Sequence, residues 1–388
     1  MNTVPDYARM PLDRLERTPA YVINVGALEA QAAQLAAIGQ RCGAQILLAL
    51  KAFAAHATFP RLRPYLAGVT ASGIHEAWLG REFELGGVHV YSPAFKPGEM
   101  AHLVRFAHTL VFNSPGQWQR FRPVVEGAGR QIERGLRVNP GHGEVAVALY
   151  NPCAPGSRLG TPVEDIRPKD LDGLDGLHFH TLCEQGADVL ERTLAVFEAQ
   201  AGHLLPSMSW VNLGGGHHIT APGYDVDKLV GLVRGLAERY GVRVYLEPGE
   251  AFSIQTGVLV AEVLDCFDSR GTRVAVLDVS ATAHMPDVLE MPYRPAIVGG
   301  HMPGERAHTY RLGGPTCLAG DIIGDYSFDA PLEVGQRLTF LDMSHYTMVK
   351  TTTFNGVPHP DICTYDARTD RLELVRRFGY GDFRNRLS

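Results

Sequence analysis

Leu47-Leu48-Ala49-Leu50-Lys51-Ala52-Phe53 is a short apolar run that ends on a lysine. It reads as a buried strand, and a buried strand does not carry an ammonium through its body, because desolvating that charge costs several kcal/mol. Lys51 therefore stands at the open end of the strand, where a partner or a covalent bond accommodates it. At the C-terminal mouth of a first barrel strand, such a lysine can form a Schiff base with a carbonyl cofactor. A lysine at a strand end can equally reach outward as an ordinary surface charge. The stretch alone leaves both readings open.

The surrounding chain favours the barrel. From about residue 21 to residue 250, short aliphatic runs alternate with helical stretches. The helices show in a 3.6-residue period: Leu28, Ala32, Leu35 and Ile38; Leu190, Leu194, Phe197 and Ala201; Leu229, Leu232, Leu236 and Tyr240. The last has Asp225 as N-cap and Gly241 just past its end. Between them the spacing predicts strands at 45–51, 68–72, 88–92, 109–113, 135–139, 176–180, 210–214 and 243–247. Their ends present Lys51, Ser72, Ser92, Asn113, Asn139, His180, Gly214 and Glu247. Apolar bodies ending on polar residues are what an α/β (β/α)8 TIM-type barrel needs, since its active site lies at the C-terminal face. A doubly wound open sheet shares the alternation and is the rival.

After residue 252 the helical period fades and strand-like runs follow at 258–263, 273–279, 307–312 and 337–341. Two more, at 362–365 and 372–375, flank Asp366-Ala367-Arg368-Thr369-Asp370, a hairpin turn. The expected organisation is a barrel over 21–252 and a mostly-β domain over 253–388, joined by residues 1–20. The 388 residues carry a formal net charge of −6, which implies no polyanion-binding surface and hence no nucleic acid. Six scattered cysteines form no CxxC pair, no signal peptide is evident, and no apolar run approaches a membrane span. The expected setting is cytoplasmic, with free thiols and no membrane contact.

Several stretches carry chemistry. Gly214-Gly215-Gly216 follows the seventh strand, where backbone N–H groups can form a nest for a phosphate; a plain flexible turn reads the same. Glu247-Pro248-Gly249 closes the eighth strand with a carboxylate able to hold a heteroaromatic nitrogen protonated, or merely to cap a loop. His178-Phe179-His180 puts two imidazoles on one side of strand six. A metal-dependent barrel hydrolase would use such a pair, but no second ligand cluster is evident. The reading adopted packs His180 on the face of a planar cofactor and leaves His178 as a satisfied core histidine, with no metal. In the second domain, Cys317 and Asp321 share a Gly/Pro loop and can offer an acid and a charge partner, although a buried inert cysteine is the plainer reading. Tyr346 can donate its hydroxyl to a phosphate or be an amphipathic core residue.

In order and context, Lys51, His180, Gly214–Gly216, Glu247-Pro248-Gly249, Cys317, Asp321 and Tyr346 resemble the alanine-racemase-like, barrel-type decarboxylases that use pyridoxal 5'-phosphate (PLP), such as diaminopimelate, arginine and ornithine decarboxylases. The resemblance covers about residues 20 to 380. His178–Glu184 (HFHTLCE), Leu213–Thr220 (LGGGHHIT), Glu247–Ala251 (EPGEA) and Gly314–Asp321 (GPTCLAGD) resemble one branch, acting on carboxynorspermidine or carboxyspermidine. The chain departs from the wider family in three places. Leu182-Cys183 replaces a usual Gly-Ser, Glu250 a usual arginine, and Leu318 the acidic residue that ornithine-type enzymes carry after the loop cysteine.

The resemblance implies PLP on Lys51, with Glu247 at its ring nitrogen, His180 stacked on the ring, and Gly214, Gly215, Gly216 and Tyr346 at the phosphate. Arg158 is expected near the cofactor. It implies that Cys317 supplies or gates a proton from the second subunit of a homodimer with shared active sites. A carboxylated polyamine needs carboxylates for its distal cationic nitrogens, and Asp321, Glu184, Asp287 and Glu290 are the candidates. The alternatives are a decarboxylase of diaminopimelate, ornithine or arginine, or a non-catalytic homologue that binds a partner.

Overall fold

A computed structural model describes residues 4–388. The chain divides into two compact units, one formed by residues 31–252 and the other by Ser253–Ser388 with the amino-terminal residues through Ala30. Of the segment expected to join the second domain, residues 1–3 lie outside the described residues.

The first unit is a closed ring of eight parallel strands: Ala44–Ala49, Gly68–Ala71, Gly87–Tyr91, Thr109–Phe112, Glu133–Asn139, Gly176–His178, Trp210–Asn212 and Arg243–Leu246. Each pairs with the next in sequence, and the eighth pairs with the first, Leu246 opposite Ile46. That closure removes the open-sheet alternative. The two-residue strand Thr161–Pro162 is an extra on the edge of strand five. Leu47, Val111, Trp210 and Tyr245 pack together across the barrel. Trp210 needs glycine on the strands beside it, because a Cβ on Gly176 would fall 2.1 Å from its ring. One large side chain thus fills the interior at that level, which explains a strand as featureless as Gly176-Leu177-His178.

The surrounding helices follow the apolar period. In Val226–Tyr240, Asp225 accepts from Lys228 N–H at 2.9 Å and Gly241 closes the helix at φ 68°. Its buried residues are Leu229, Val233 and Leu236. Val233, one step from the expected Leu232, takes the inward place, because i, i+4, i+7 lies nearer the centre of that face.

The second unit is a mixed sheet. In spatial order its strands are Ile322–Phe328, His308–Gly313, Thr272–Leu277, Gly257–Ser269, Ala20–Asn24, Asp361–Asp366 and Arg371–Arg376, with Arg337–Leu341 also on Gly257–Ser269. The predicted strands after residue 252 appear here, as does the hairpin across 366–370. The strand Ala20–Asn24 belongs to this sheet and not to the barrel whose region was read as starting at 21. All five of its residues are buried. A strand covered on both faces shows no alternation, so nothing in its residues tells one architecture from the other. Among the described residues, no helix is long and apolar enough to cross a membrane.

Candidate active site

The C-terminal ends of the barrel strands bring together Lys51, His180, Gly214–Gly216 and Glu247. Lys51 lies just past strand one. It keeps exposed surface, yet protein surrounds its ammonium closely enough that desolvation dominates and pushes its pKa below the usual lysine value. A side chain with both properties lies in a concavity. Glu247 pulls the lysine's pKa back up, while Arg137 adds to the depression.

Glu247 directly follows strand eight. Burial raises its pKa; hydrogen bonds from Asn212 and Thr70 and the charges of Lys51 and Arg137 oppose the rise. Asn212 is bidentate in effect: its Nδ2 donates to Glu247 Oε1 at 2.7 Å, and its Oδ1 accepts from Gly214 N–H at 2.8 Å. One amide on strand seven thereby fixes both the carboxylate and the start of the glycine loop.

His180 accepts from Gly215 N–H through Nδ1 at 2.8 Å, so its hydrogen sits on Nε2. Burial first, then the nearby Lys51 and Arg137, hold its pKa well below the usual histidine value, and the ring is neutral. Two of the three N–H groups expected to form a phosphate nest are therefore committed within the protein. The glycines serve close packing. Gly215 would place a Cβ 2.4 Å from Glu247 O, and Gly216, at φ 81°, would place one 1.9 Å from Leu182 O. We expect Gly216→Ala to cost at least about 2 kcal/mol in denaturant unfolding, from left-handed strain plus overpacking. Gly223→Ala is the control: it has φ 82° but open space around its Cβ. Equal losses in the two variants would show that the loop yields and that only backbone strain matters.

Residues that sequence reading missed complete this end of the barrel. Arg137 is buried on strand five; its Nη2 donates to His180 O at 3.2 Å and its guanidinium lies 4.6 Å from the Tyr91 ring centroid. Ser72 N–H donates to Glu76 at 2.6 Å, and burial raises the pKa of that carboxyl. A charged or amide residue inside an aliphatic strand body, as in Leu136-Arg137-Val138 and Val211-Asn212-Leu213, was the available signal.

Two other predicted residues stand on loops that follow barrel strands. Arg158 is exposed in the loop after strand five, its carbonyl accepting from Asn113 Nδ2 at 3.0 Å. Glu184 is exposed at φ 53°, its carboxylate near His218 and Glu250, with one ligand atom of each within 4.8 Å of the others. These three form the one group of metal-ligand spacing found among the described residues, and it excludes the strand-six histidines. His178 is buried but not satisfied: neither ring nitrogen has a hydrogen-bond partner.

The second unit carries the remaining candidates. Cys317 is exposed, and its N–H donates to Asn355 Oδ1 at 2.8 Å. Asp321 is buried and accepts from Ser280 Oγ at 3.0 Å, Thr282 N at 3.3 Å, Thr316 N at 3.2 Å and Thr316 Oγ1 at 2.6 Å. Its carboxylate holds the cysteine loop in shape and is not presented to an ammonium, contrary to the expected substrate role. Asp287 and Glu290 already share an ammonium: Lys350 Nζ donates to Asp287 Oδ1 at 2.5 Å and also to Glu290. One lysine between two carboxylates holds both within the chain and leaves the trio with one net negative charge, so the two acids are not the free pair that was expected. Tyr346 is half-buried at φ 40°, its ring edge-on to His345.

A lysine of depressed basicity, a mostly buried carboxylate held by Asn212 and Thr70, and a neutral imidazole of fixed tautomer fit PLP. Comparison with known proteins agrees. A family model described as pyridoxal-dependent decarboxylase, C-terminal sheet domain, matches residues 20–344. The chain is 42% identical over 378 residues to a carboxynorspermidine/carboxyspermidine decarboxylase of Campylobacter jejuni, covering 95% of this chain and 97% of that one. It is 44% identical over 371 residues to a carboxyaminopropylagmatine decarboxylase of Synechocystis, covering 95% of each. The crystal structure of the Campylobacter jejuni carboxynorspermidine decarboxylase in complex with norspermidine superposes with a TM-score of 0.87 at 41% identity, covering 95% of this chain and 100% of that one.

Proposed function

Since the chain belongs to the pyridoxal-dependent decarboxylases, we propose that it removes the α-carboxylate of carboxynorspermidine or carboxyspermidine, releasing carbon dioxide and the polyamine. The observation that carries this reading is Lys51 and Glu247 at facing ends of barrel strands one and eight, within a chain 42% identical over nearly its whole length to an enzyme of that name.

PLP, when bound, supplies the electron sink for the pair left behind as carbon dioxide departs. Lys51, with its lowered basicity, offers the amine that holds the cofactor. Glu247 would hold a proton at the ring nitrogen. His180, its plane set by the Gly215 N–H, would pack on the ring face. The N–H of Gly216 is left for the phosphate once Gly214 and Gly215 have bonded within the protein. For the substrate's distal ammonium groups, Glu184 supplies negative charge, together with the neighbouring Glu250. Leu318, exposed where an acid would serve ornithine, supports a different arrangement of the distal nitrogen.

The reading includes a cytoplasmic homodimer in which Cys317 of a second copy delivers the proton to Cα. The exposure of Cys317 and Leu318 supports this, as do six free thiols. A second substrate reading rests on the 44% identity to the Synechocystis enzyme, whose substrate name carries agmatine. A product assay by mass spectrometry separates the two. The panel is carboxynorspermidine, carboxyspermidine, carboxyaminopropylagmatine, diaminopimelate, ornithine and arginine. We expect turnover of both of the first two, with a preference no larger than about 200-fold, since they differ by one methylene, worth about 1–3 kcal/mol in a pocket. Exclusive turnover of the guanidino substrate would establish the second reading. Turnover of diaminopimelate or ornithine alone would overturn both.

A further inference from the structure

Arg137, His178 and Asn212 are paired in register on three neighbouring barrel strands, forming one inward row beneath Glu247. Arg137 and Asn212 both have assigned work, on His180 and on Glu247 Oε1 respectively. His178, between them, does not. Its side chain is 3% exposed, and both ring nitrogens are buried without a hydrogen-bond partner. Buried polar atoms without partners are uncommon, and each calls for an account. A carboxylate oxygen, Glu247 Oε2, lies 3.7 Å from Nε2, and Asn212 bonds to the other oxygen, Oε1. The edge of the Tyr91 ring, 5.6 Å away between centroids, supports the imidazole from the side.

We propose that His178 is a positioning residue for Glu247, its Nε2–H engaging Oε2 so that the carboxylate plane is fixed against the pyridine nitrogen of bound PLP. The inference rests on the assignment of Glu247 to that nitrogen. The present separation exceeds a hydrogen bond by about 0.8 Å, a shift that rotation of one carboxylate covers. Burial, with Arg137 and Lys51 close by, keeps the imidazole uncharged. That matters chemically. A cation at this place would stabilise the carboxylate and weaken its hold on the ring proton. A neutral donor orients the oxygen and lowers its basicity less than a cation would. A phenylalanine would fill the space and remove that donor.

The test uses the PLP-loaded enzyme carrying 15N at the pyridine nitrogen. The readouts are the 15N chemical shift, kcat, KM and thermal unfolding. Glu247→Gln is the control and moves the shift to the unprotonated position. His178→Phe is expected to move it part of the way and to lower kcat about 10- to 100-fold, the loss of one charged hydrogen bond, with KM changed less than about 3-fold. His178→Gln, which keeps a donor, recovers most of both. If His178→Phe does not fold, His178→Leu replaces it. Wild-type shift and kcat in the phenylalanine or leucine variant, with a shift that responds to Glu247→Gln, overturn the role of His178 alone. A shift that does not respond to Glu247→Gln overturns the assignment of Glu247 and the inference with it.

Discussion

Replacing Lys51 with alanine lowers kcat on the carboxylated polyamine by on the order of 10⁴-fold, and the protein loses the yellow absorbance of lysine-bound PLP. The size follows from what is lost: a nucleophilic nitrogen that nothing else at this face replaces. An ordinary lysine is almost wholly protonated near neutral pH. Desolvation, reinforced by Arg137, pushes Lys51 toward the neutral amine, and the charge of Glu247 limits the shift. The same shift has a stability consequence with a definite sign. A depressed folded-state pKa means that the unfolded chain binds the proton more strongly, so stability rises with pH between the folded and unfolded values. At neutral pH the lysine is therefore a cost to the apoprotein. Lys51→Met is expected to raise the apoprotein's Tm at pH 7 and to flatten the rise in stability toward pH 10. An unchanged Tm would mean that the ammonium is solvated and the concavity is not felt.

Glu247→Gln is expected to reduce kcat on the order of 10²–10³-fold, comparable with the loss of one preorganised electrostatic partner. The geometry says why an isosteric change is so costly. Asn212 donates Nδ2 to Oε1, so a glutamine must turn its carbonyl toward Asn212. Its amide hydrogens then point where Oε2 was. A donor presented to the pyridine nitrogen favours the unprotonated ring, the weaker electron sink. Reversing the amide would set it against Asn212 Nδ2 and leave that donor unmet. Glu247→Asp is expected to lose less rate, since it remains an acceptor although shorter. Equal kcat for glutamine and glutamate would show that the ring proton is not held from this position.

Much of this was readable in one dimension because barrel strands advertise their ends. The strand bodies are mostly aliphatic, and Lys51, His180, Gly214 and Glu247 follow them by chain order alone. The glycine loop was readable in place, and the structure adds what its backbone does within the protein. Its N–H groups turned out to serve Asn212 and His180, and its missing Cβ atoms serve contact with strands six and eight.

Carboxylates were the hardest to read, since a carboxylate's role is set by what faces it. Asp321 looked like a substrate group and is closed in by Ser280, Thr282 and Thr316. Asp287 and Glu290 meet their cation in Lys350, some sixty residues away. Strand Ala20–Asn24 was equally opaque, because complete burial erases the pattern that would assign it to one sheet or the other. By itself, then, the sequence determined the barrel and the strand ends at which Lys51 and Glu247 stand, because strand periodicity and strand-end polarity are local properties. Only the tertiary structure decided which acids are already paired, which imidazole is left without a partner, and where the first strand lies, because hydrogen-bond satisfaction and burial depend on residues distant along the chain.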